Sequence, residues 1–143
     1  MAFQRVCELN DYKFSRLWLT VGWVLILLVV FFSLSPEPPE VIEFEQGDKF
    51  GHLVAYLSLM LWFANIYPGR NQQISLSLAF FAMGAVLEFI QGLSGYRTFQ
   101  YTDMVANGLG ISLGWFLAKT WLGTFLVKLD RLLERLGFIK SGT

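Results

Sequence analysis

Residues 84–91 read Gly-Ala-Val-Leu-Glu-Phe-Ile-Gln and lie near the end of a long apolar run. Glu88 is the only acidic or basic residue between Arg70 and Arg97. A carboxylate inside a bilayer costs roughly 3 kcal/mol on insertion scales unless it faces a partner or water. Because residues three and four apart share a helix face, Gly84, Glu88 and Gln91 predict a helix with one polar side near its end.

The composition indicates a membrane protein. The chain has 143 residues, of which 55% are hydrophobic and only 15% are charged. Soluble domains carry about 25% charged residues, and a small domain has too much surface for its volume to hide such an apolar content. We therefore predict a small polytopic membrane protein that forms a single domain over residues 1–143.

Four apolar runs, at approximately 17–34, 50–66, 74–93 and 103–121, predict transmembrane helices. The first run has no charged residue and would be about 27 Å long as a helix, enough to cross a hydrocarbon core. Pro36 directly follows a small-residue stretch that resembles a signal-peptide cleavage site, which makes cleavage there unfavourable and favours a retained anchor. Residues 128–140 are basic, with leucines at helical spacing. The predicted fold class is an all-α four-transmembrane-helix bundle with an amphipathic C-terminal helix.

The distribution of lysine and arginine predicts the orientation. With four spans, nine basic residues fall on the side of both termini and two, Lys49 and Arg97, fall on the other side. The positive-inside rule then places both termini in the cytoplasm, in a bacterial plasma (inner) membrane. The formal net charge of zero gives no indication of a nucleic-acid partner, and none is expected. The single cysteine, Cys7, excludes an intrachain disulfide.

This topology brings polar residues from three helices to one outward-facing level, at the start of the second and fourth spans and the end of the third. We predict that they line a ligand-binding pocket: Lys49, His52, Tyr56, Glu88, Gln91, Arg97, Asp103 and Asn107. No catalytic residue can be assigned, but His52, Glu88 and Asp103 are candidates. No metal site and no cofactor are expected.

The same residues carry a resemblance to a known family. The ordered set Asp48-Lys49-x-x-His52-x-x-x-Tyr56, Glu88-x-x-Gln91, Arg97 and Asp103-x-x-x-Asn107-x-x-Gly110 resembles the VanZ-like family of bacterial membrane proteins, over roughly residues 48–118. That family is named for a protein associated with low-level teicoplanin resistance, so the resemblance implies a cell-envelope role and names no reaction. Members often carry an acid where this chain has Gln100, which weakens a metal site or paired-acid mechanism taken from the family.

Three functions are compatible with this pattern. The chain binds a polar or anionic envelope component, such as a lipid, a lipid-linked wall precursor or a glycopeptide-related ligand. Alternatively, it is an enzyme that uses His52 as acid or base on a lipid-linked substrate, or a small transporter or accessory subunit that uses Glu88. Each residue also has a structural interpretation: His52 as a core histidine, Glu88 as the ion-pair partner of Arg97 or Lys49, and Asp103 and Asn107 as helix cap and interhelical contact.

Small residues repeat every four positions along the fourth apolar run, at Ala106, Gly110, Gly114 and Ala118. Such a stripe lets helices approach closely in lipid. It favours packing within the bundle, and it also permits a homo-oligomer through the Gly110/Gly114 face.

Overall fold

A computed structural model describes residues 12–36, 47–95 and 98–137, and within these ranges the chain is helical without strands. The elements are α1 (Ser15–Leu34), α2 (Gly47–Ile66), α3 (Arg70–Leu93), α4 (Tyr101–Leu117), a 3-10 turn (Trp121–Thr124) and α5 (Phe125–Arg135). The all-α prediction is confirmed, and each of the first three helices begins two to four residues before the predicted span.

Helix α2 forms the centre of the bundle and packs against α1, α3 and α4. Its buried face carries Tyr56, Leu59, Met60 and Phe63. By contrast, large apolar side chains of the other helices point outward: Phe31, Leu78, Phe89 and Phe116 are 62–66% exposed. Rows of exposed large apolar side chains at helix surfaces require an apolar surrounding. The chain is therefore a membrane protein.

The predicted count of four spans is not confirmed. Within the described residues, α1 and α3 alone are long and apolar enough to cross a bilayer by themselves. Helix α4 has 17 residues and meets the same requirement only together with the segment after it, which is bent away by 72°. Helix α2 carries Asp48 and Lys49 in its first turn and Asn65 near its end. These polar residues lower the apolar character of α2, although it is the most enclosed helix of the bundle.

The glycine stripe of α4 packs against the backbone of α2. A Cβ atom placed on Gly114 would lie 2.6 Å from the carbonyl oxygen of Leu57, and one on Gly110 would collide with the carbonyl oxygen of Leu53. Close packing within the bundle is thus the observed role of the stripe. Because α2 of the same chain covers the Gly110/Gly114 face, that face is not open to a second copy in this structure, and homo-oligomerisation remains an untested prediction.

The fourth helix ends earlier than predicted, at Leu117 rather than Trp121. The Thr120 side chain accepts a hydrogen bond from the backbone N–H of Leu122 (3.3 Å) and so caps the following 3-10 turn. A Cβ on Gly123 would collide with the carbonyl oxygen of Ala118, so the tight reversal at this point requires glycine. The amphipathic helix then runs over Phe125–Arg135, three residues earlier than predicted at its start; the predicted residues 138–140 lie outside the described ranges.

Asp130 of α5 caps the beginning of α1. Its carboxylate, 5% exposed, accepts hydrogen bonds from the backbone N–H groups of Lys13 (3.0 Å) and Phe14 (3.1 Å) and from the indole N–H of Trp18 (2.7 Å). Lys13 also forms an ion pair with Glu134, one turn further along α5. The start of α1 has no capping side chain of its own, and α5 supplies one from a distant part of the chain.

The glycine packing predicts a contrast between two substitutions on α4. Gly114→Ala should lower the free energy of unfolding by about 1–3 kcal/mol because the new methyl group meets a backbone carbonyl that cannot rotate away. Gly108→Ala is the control, since a Cβ there finds its nearest atom, on Phe81, at 3.6 Å. The control should be neutral or stabilising by up to about 1 kcal/mol through helix propensity. Thermal unfolding of both variants in detergent measures the difference, and equal melting temperatures would contradict the packing described.

The cap of α1 predicts that Asp130→Ala destabilises the chain by about 2 kcal/mol, the upper range for loss of a helix cap. Glu134→Ala removes an acid one turn away whose side chain is 45% exposed, and should cost less than about 1 kcal/mol. Thermal unfolding of the two alanine variants tests this order. If Glu134→Ala were the more damaging, the contact between α5 and α1 would depend on the surface ion pair.

Candidate functional site

Three helices place polar side chains at one end of the bundle. The first two turns of α2 carry Asp48 and His52, the last two turns of α3 carry Glu88, and the first two turns of α4 carry Asp103 and Asn107. Acids in the first turn of a helix are favoured by the positive end of the helix dipole, which explains the local positions of Asp48 and Asp103. We call the group formed by Asp48, His52, Tyr56, Glu88, Asp103 and Asn107 the His52 site.

His52 is held in a defined orientation by α4. Its Nδ1 lies 3.0 Å from Asn107 Oδ1, and because a carbonyl oxygen only accepts, Nδ1 carries the proton and donates it. The other ring nitrogen, Nε2, lies 3.8 Å from Asp103 Oδ2. The side chains of His52 and Asp103 are 10% and 3% exposed, so this arrangement is almost closed to solvent.

Gly84 lets α3 approach these groups. A Cβ at this position would lie 2.7 Å from Asn107 Nδ2 and 3.0 Å from the hydroxyl of Tyr56, which is itself 1% exposed. The absence of a side chain at Gly84 therefore makes room for an amide from α4 and a phenol from α2. The sequence identified Gly84 as part of the polar face without assigning it this role.

Glu88 faces into the bundle, as predicted, and is 1% exposed. Its Oε1 accepts a hydrogen bond of 2.6 Å from the backbone N–H of Gln100, the residue that precedes α4. The carboxylate thus holds the beginning of α4 against the end of α3. Through that contact it positions Asp103, one turn into α4.

Two predicted ligand-binding residues have other positions. Gln91 is buried, and its Nε2 donates a 2.6 Å hydrogen bond to the carbonyl oxygen of Ser33, so it ties α3 to the end of α1. Lys49 forms no hydrogen bond or ion pair with the His52 site among the residues that the structure describes. Asp48, four positions before His52, shares its helix face, and its carboxylate lies within 4.8 Å of ligand atoms of His52 and Asp103.

Within the described part of the chain, Asp48, His52 and Asp103 could hold a metal ion. They offer one imidazole and two carboxylate ligand atoms within 4.8 Å of one another. The 3.8 Å separation of His52 Nε2 from Asp103 Oδ2 is too long for a hydrogen bond and suits two ligands of one divalent ion at about 2.1 Å each. No metal site was expected from the sequence, and Asp48 was not among the predicted site residues. Its i, i+4 spacing to the only histidine is the signal in the sequence that indicates it.

Arg97, the remaining predicted site residue, lies outside the described residues. The structure therefore brings together His52, Tyr56, Glu88, Asp103 and Asn107 of the predicted set, and it adds Asp48.

The matches to known proteins agree with this arrangement. The model of the VanZ/LLP1 family matches residues 12–123, which is well over half of the chain and includes every residue of the His52 site. The chain belongs to the VanZ/LLP1 family. The match extends further than the resemblance over residues 48–118, because it also includes α1 and the 3-10 turn up to its third residue.

One relative of this VanZ/LLP1 chain is an uncharacterized protein of Schizosaccharomyces pombe, 30% identical over 102 residues. The matched region covers 69% of this chain and 60% of the yeast protein, so the chain spans less than two thirds of that relative's length. No solved structure was found to match the chain.

The contact of Glu88 predicts how two substitutions differ. Glu88→Ala removes the acceptor for the Gln100 N–H and should cost about 1–3 kcal/mol of stability. Glu88→Gln keeps an oxygen at this position and should cost less. Hydrogen exchange of the backbone at the beginning of α4 should accelerate in the alanine variant and change little in the glutamine variant. Equal acceleration in both variants would show that the negative charge, and not the hydrogen bond to Gln100, holds α4.

Proposed function

We propose that this VanZ/LLP1 protein is a membrane-embedded binding protein that takes the polar head of a cell-envelope component at the His52 site. The observation that carries the proposal is the convergence of buried polar side chains at one end of an apolar bundle: Tyr56, Glu88, Asp103 and Asn107 are each at most 2% exposed. Burying polar groups is costly, and in membrane helices ionisable residues mark binding or transport sites by default.

The charge of the site limits the chemistry of the ligand. Among its described residues, three carboxylates stand beside a histidine that the Asn107 contact fixes as a donor at Nδ1. Such a site favours a head that brings positive charge, either an amine or a divalent cation that bridges to a phosphate. In the second case Asp48, His52 and Asp103 hold the ion. The anionic heads of lipids or lipid-linked wall precursors are then bound through the cation, and the sequence offers Arg97 as a further partner for a phosphate.

The orientation belongs to the same proposal. Among the described residues, seven lysines and arginines belong to the end of the bundle away from the His52 site, and Lys49 alone is near it. This asymmetry supports four spans, with the His52 site facing outward from the bacterial plasma membrane and both termini in the cytoplasm.

Native mass spectrometry of the chain purified from membranes tests the binding function. The wild-type protein should retain a component of defined mass, and Asp103→Asn should reduce its occupancy about tenfold, a loss of roughly 1.4 kcal/mol. The matched control is Glu134→Gln, which neutralises an acid on α5, away from the His52 site. Equal occupancy in Asp103→Asn and the control, or no retained component in the wild-type protein, would contradict the proposal.

An enzyme is the second candidate, favoured by one specific observation. His52 Nδ1 contacts Asn107 and its Nε2 lies 3.8 Å from the carboxylate of Asp103, and an imidazole placed beside a carboxylate is the pairing that general acid–base catalysis uses. If the chain is an enzyme, it converts a lipid-linked substrate, and His52→Ala reduces turnover while occupancy in the mass spectrum persists. Retained occupancy without conversion of lipid-linked precursors by the wild-type protein would exclude this candidate.

A further inference from the structure

A second polar region lies at the opposite end of the bundle, where the His52 site does not reach. It is a cavity of about 870 Å³ between the ends of α2 and α4, the beginning of α3, and the segment from the 3-10 turn into α5. We call it the basal cavity. The residues of its lining that matter here are Arg70, Gln73, Trp115, Lys119, Lys128 and Arg131.

Among the residues that the structure describes, the lining is basic and contains no acid. Arg70, Lys119, Lys128 and Arg131 contribute four positive charges, and none of them forms an ion pair among the described residues. The carboxylates on α5 are engaged elsewhere, because Asp130 caps the start of α1 and Glu134 pairs with Lys13. Four cations around one cavity without a neighbouring carboxylate repel one another, and an anion bound between them would relieve that repulsion.

The inner wall is preorganised by hydrogen bonds. Gln73 is 7% exposed, and its Oε1 accepts a 2.7 Å hydrogen bond from the indole N–H of Trp115. The ammonium group of Lys119 lies 4.9 Å from the centre of the same indole ring. Trp115 thereby contacts both the buried amide of Gln73 and the ammonium group of Lys119, so one of the four positive charges is positioned at the cavity wall.

The segment that closes the cavity is suited to a membrane surface. It turns away from α4 by 72°, and its exposed apolar side chains include Trp121, Leu132 and Leu136, at 71%, 50% and 61%. Lys128, one turn before Leu132, borders this apolar face, and both Lys128 and Arg131 line the cavity. A short basic helix with an exposed apolar face lies in the headgroup region of a bilayer. The basal cavity therefore opens at the level of lipid headgroups.

We propose that the basal cavity binds the phosphate of an anionic phospholipid from the adjacent leaflet. Arginine and lysine around the opening match the charge and geometry of a phosphodiester, while the apolar side chains beside it contact the first part of the acyl chains. Free phosphate shares the charge but would leave that apolar surface unused. This site is separate from the His52 site and does not depend on the function proposed for it.

The test uses the full chain in a non-ionic detergent, titrated with dioctanoyl phosphatidylglycerol and followed by tryptophan fluorescence, to which Trp115 at the cavity responds. The double variant Lys119→Gln with Arg131→Gln should bind about 30-fold more weakly, since each base near a lipid surface contributes about fivefold. The control is Arg16→Gln with Arg135→Gln, which removes the same charge from residues outside the lining and should change affinity by less than about threefold.

Two further titrations identify the ligand. Dioctanoyl phosphatidylcholine and inorganic phosphate should each bind at least about tenfold more weakly than phosphatidylglycerol, because the first carries no net charge and the second has no acyl chains. Equal loss of affinity in the two double variants would show that the basal cavity is not the binding site. Binding of phosphatidylcholine or of inorganic phosphate with the same affinity as phosphatidylglycerol would show that an anionic phospholipid is not the ligand. If the Lys119/Arg131 variant does not elute as a folded species, Lys119→Gln alone should show about a fivefold loss.

Discussion

The close packing of α4 on α2 is the contact on which the remaining structure depends. Two glycines, Gly110 and Gly114, allow the backbones to meet at Leu53 and Leu57. His52 directly precedes Leu53, and Asn107 lies one turn before Gly110 on α4. Once the glycines fix the register of the two helices, His52 and Asn107 are opposite each other at hydrogen-bonding distance. A larger residue in the stripe would separate the helices and with them the two halves of the His52 site.

The third helix completes the site by two different contacts. Because Gly84 has no side chain, Tyr56 and Asn107 can pack directly against α3. Glu88 accepts a hydrogen bond from the backbone N–H of Gln100, the residue before α4. The second contact gives the buried carboxylate a structural task besides any interaction with a ligand. A substitution of Glu88 that abolishes function therefore needs the stability measurement beside it before the residue is assigned to binding.

Sequence reasoning identified the helices, the membrane class and most of the His52 site, because apolar periodicity and isolated polar residues depend on local sequence. It named Lys49 and not Asp48, since both residues lie in the first turn of α2 and only the position of α4 brings the Asp48 carboxylate close to Asp103. It also missed the end of α4 at Leu117 and the cap by Asp130. Both depend on tertiary contacts: a tight turn at Gly123 in one case, and a carboxylate 116 residues away from Phe14 in the other.

The two ends of this bundle differ in charge: among the described residues, two carboxylates lie close to the histidine at one end, and bases without an ion pair line a cavity at the other. The central claim is that the contact between α2 and α4 fixes His52 with Nδ1 protonated and Nε2 presented to Asp103. Because the chain contains a single histidine, ¹⁵N-histidine labelling gives one imidazole to observe by NMR. The structure predicts a proton on Nδ1 that donates to Asn107, and loss of that preference in Asn107→Ala. A ring without a proton on Nδ1, or the same spectrum in both proteins, would contradict it.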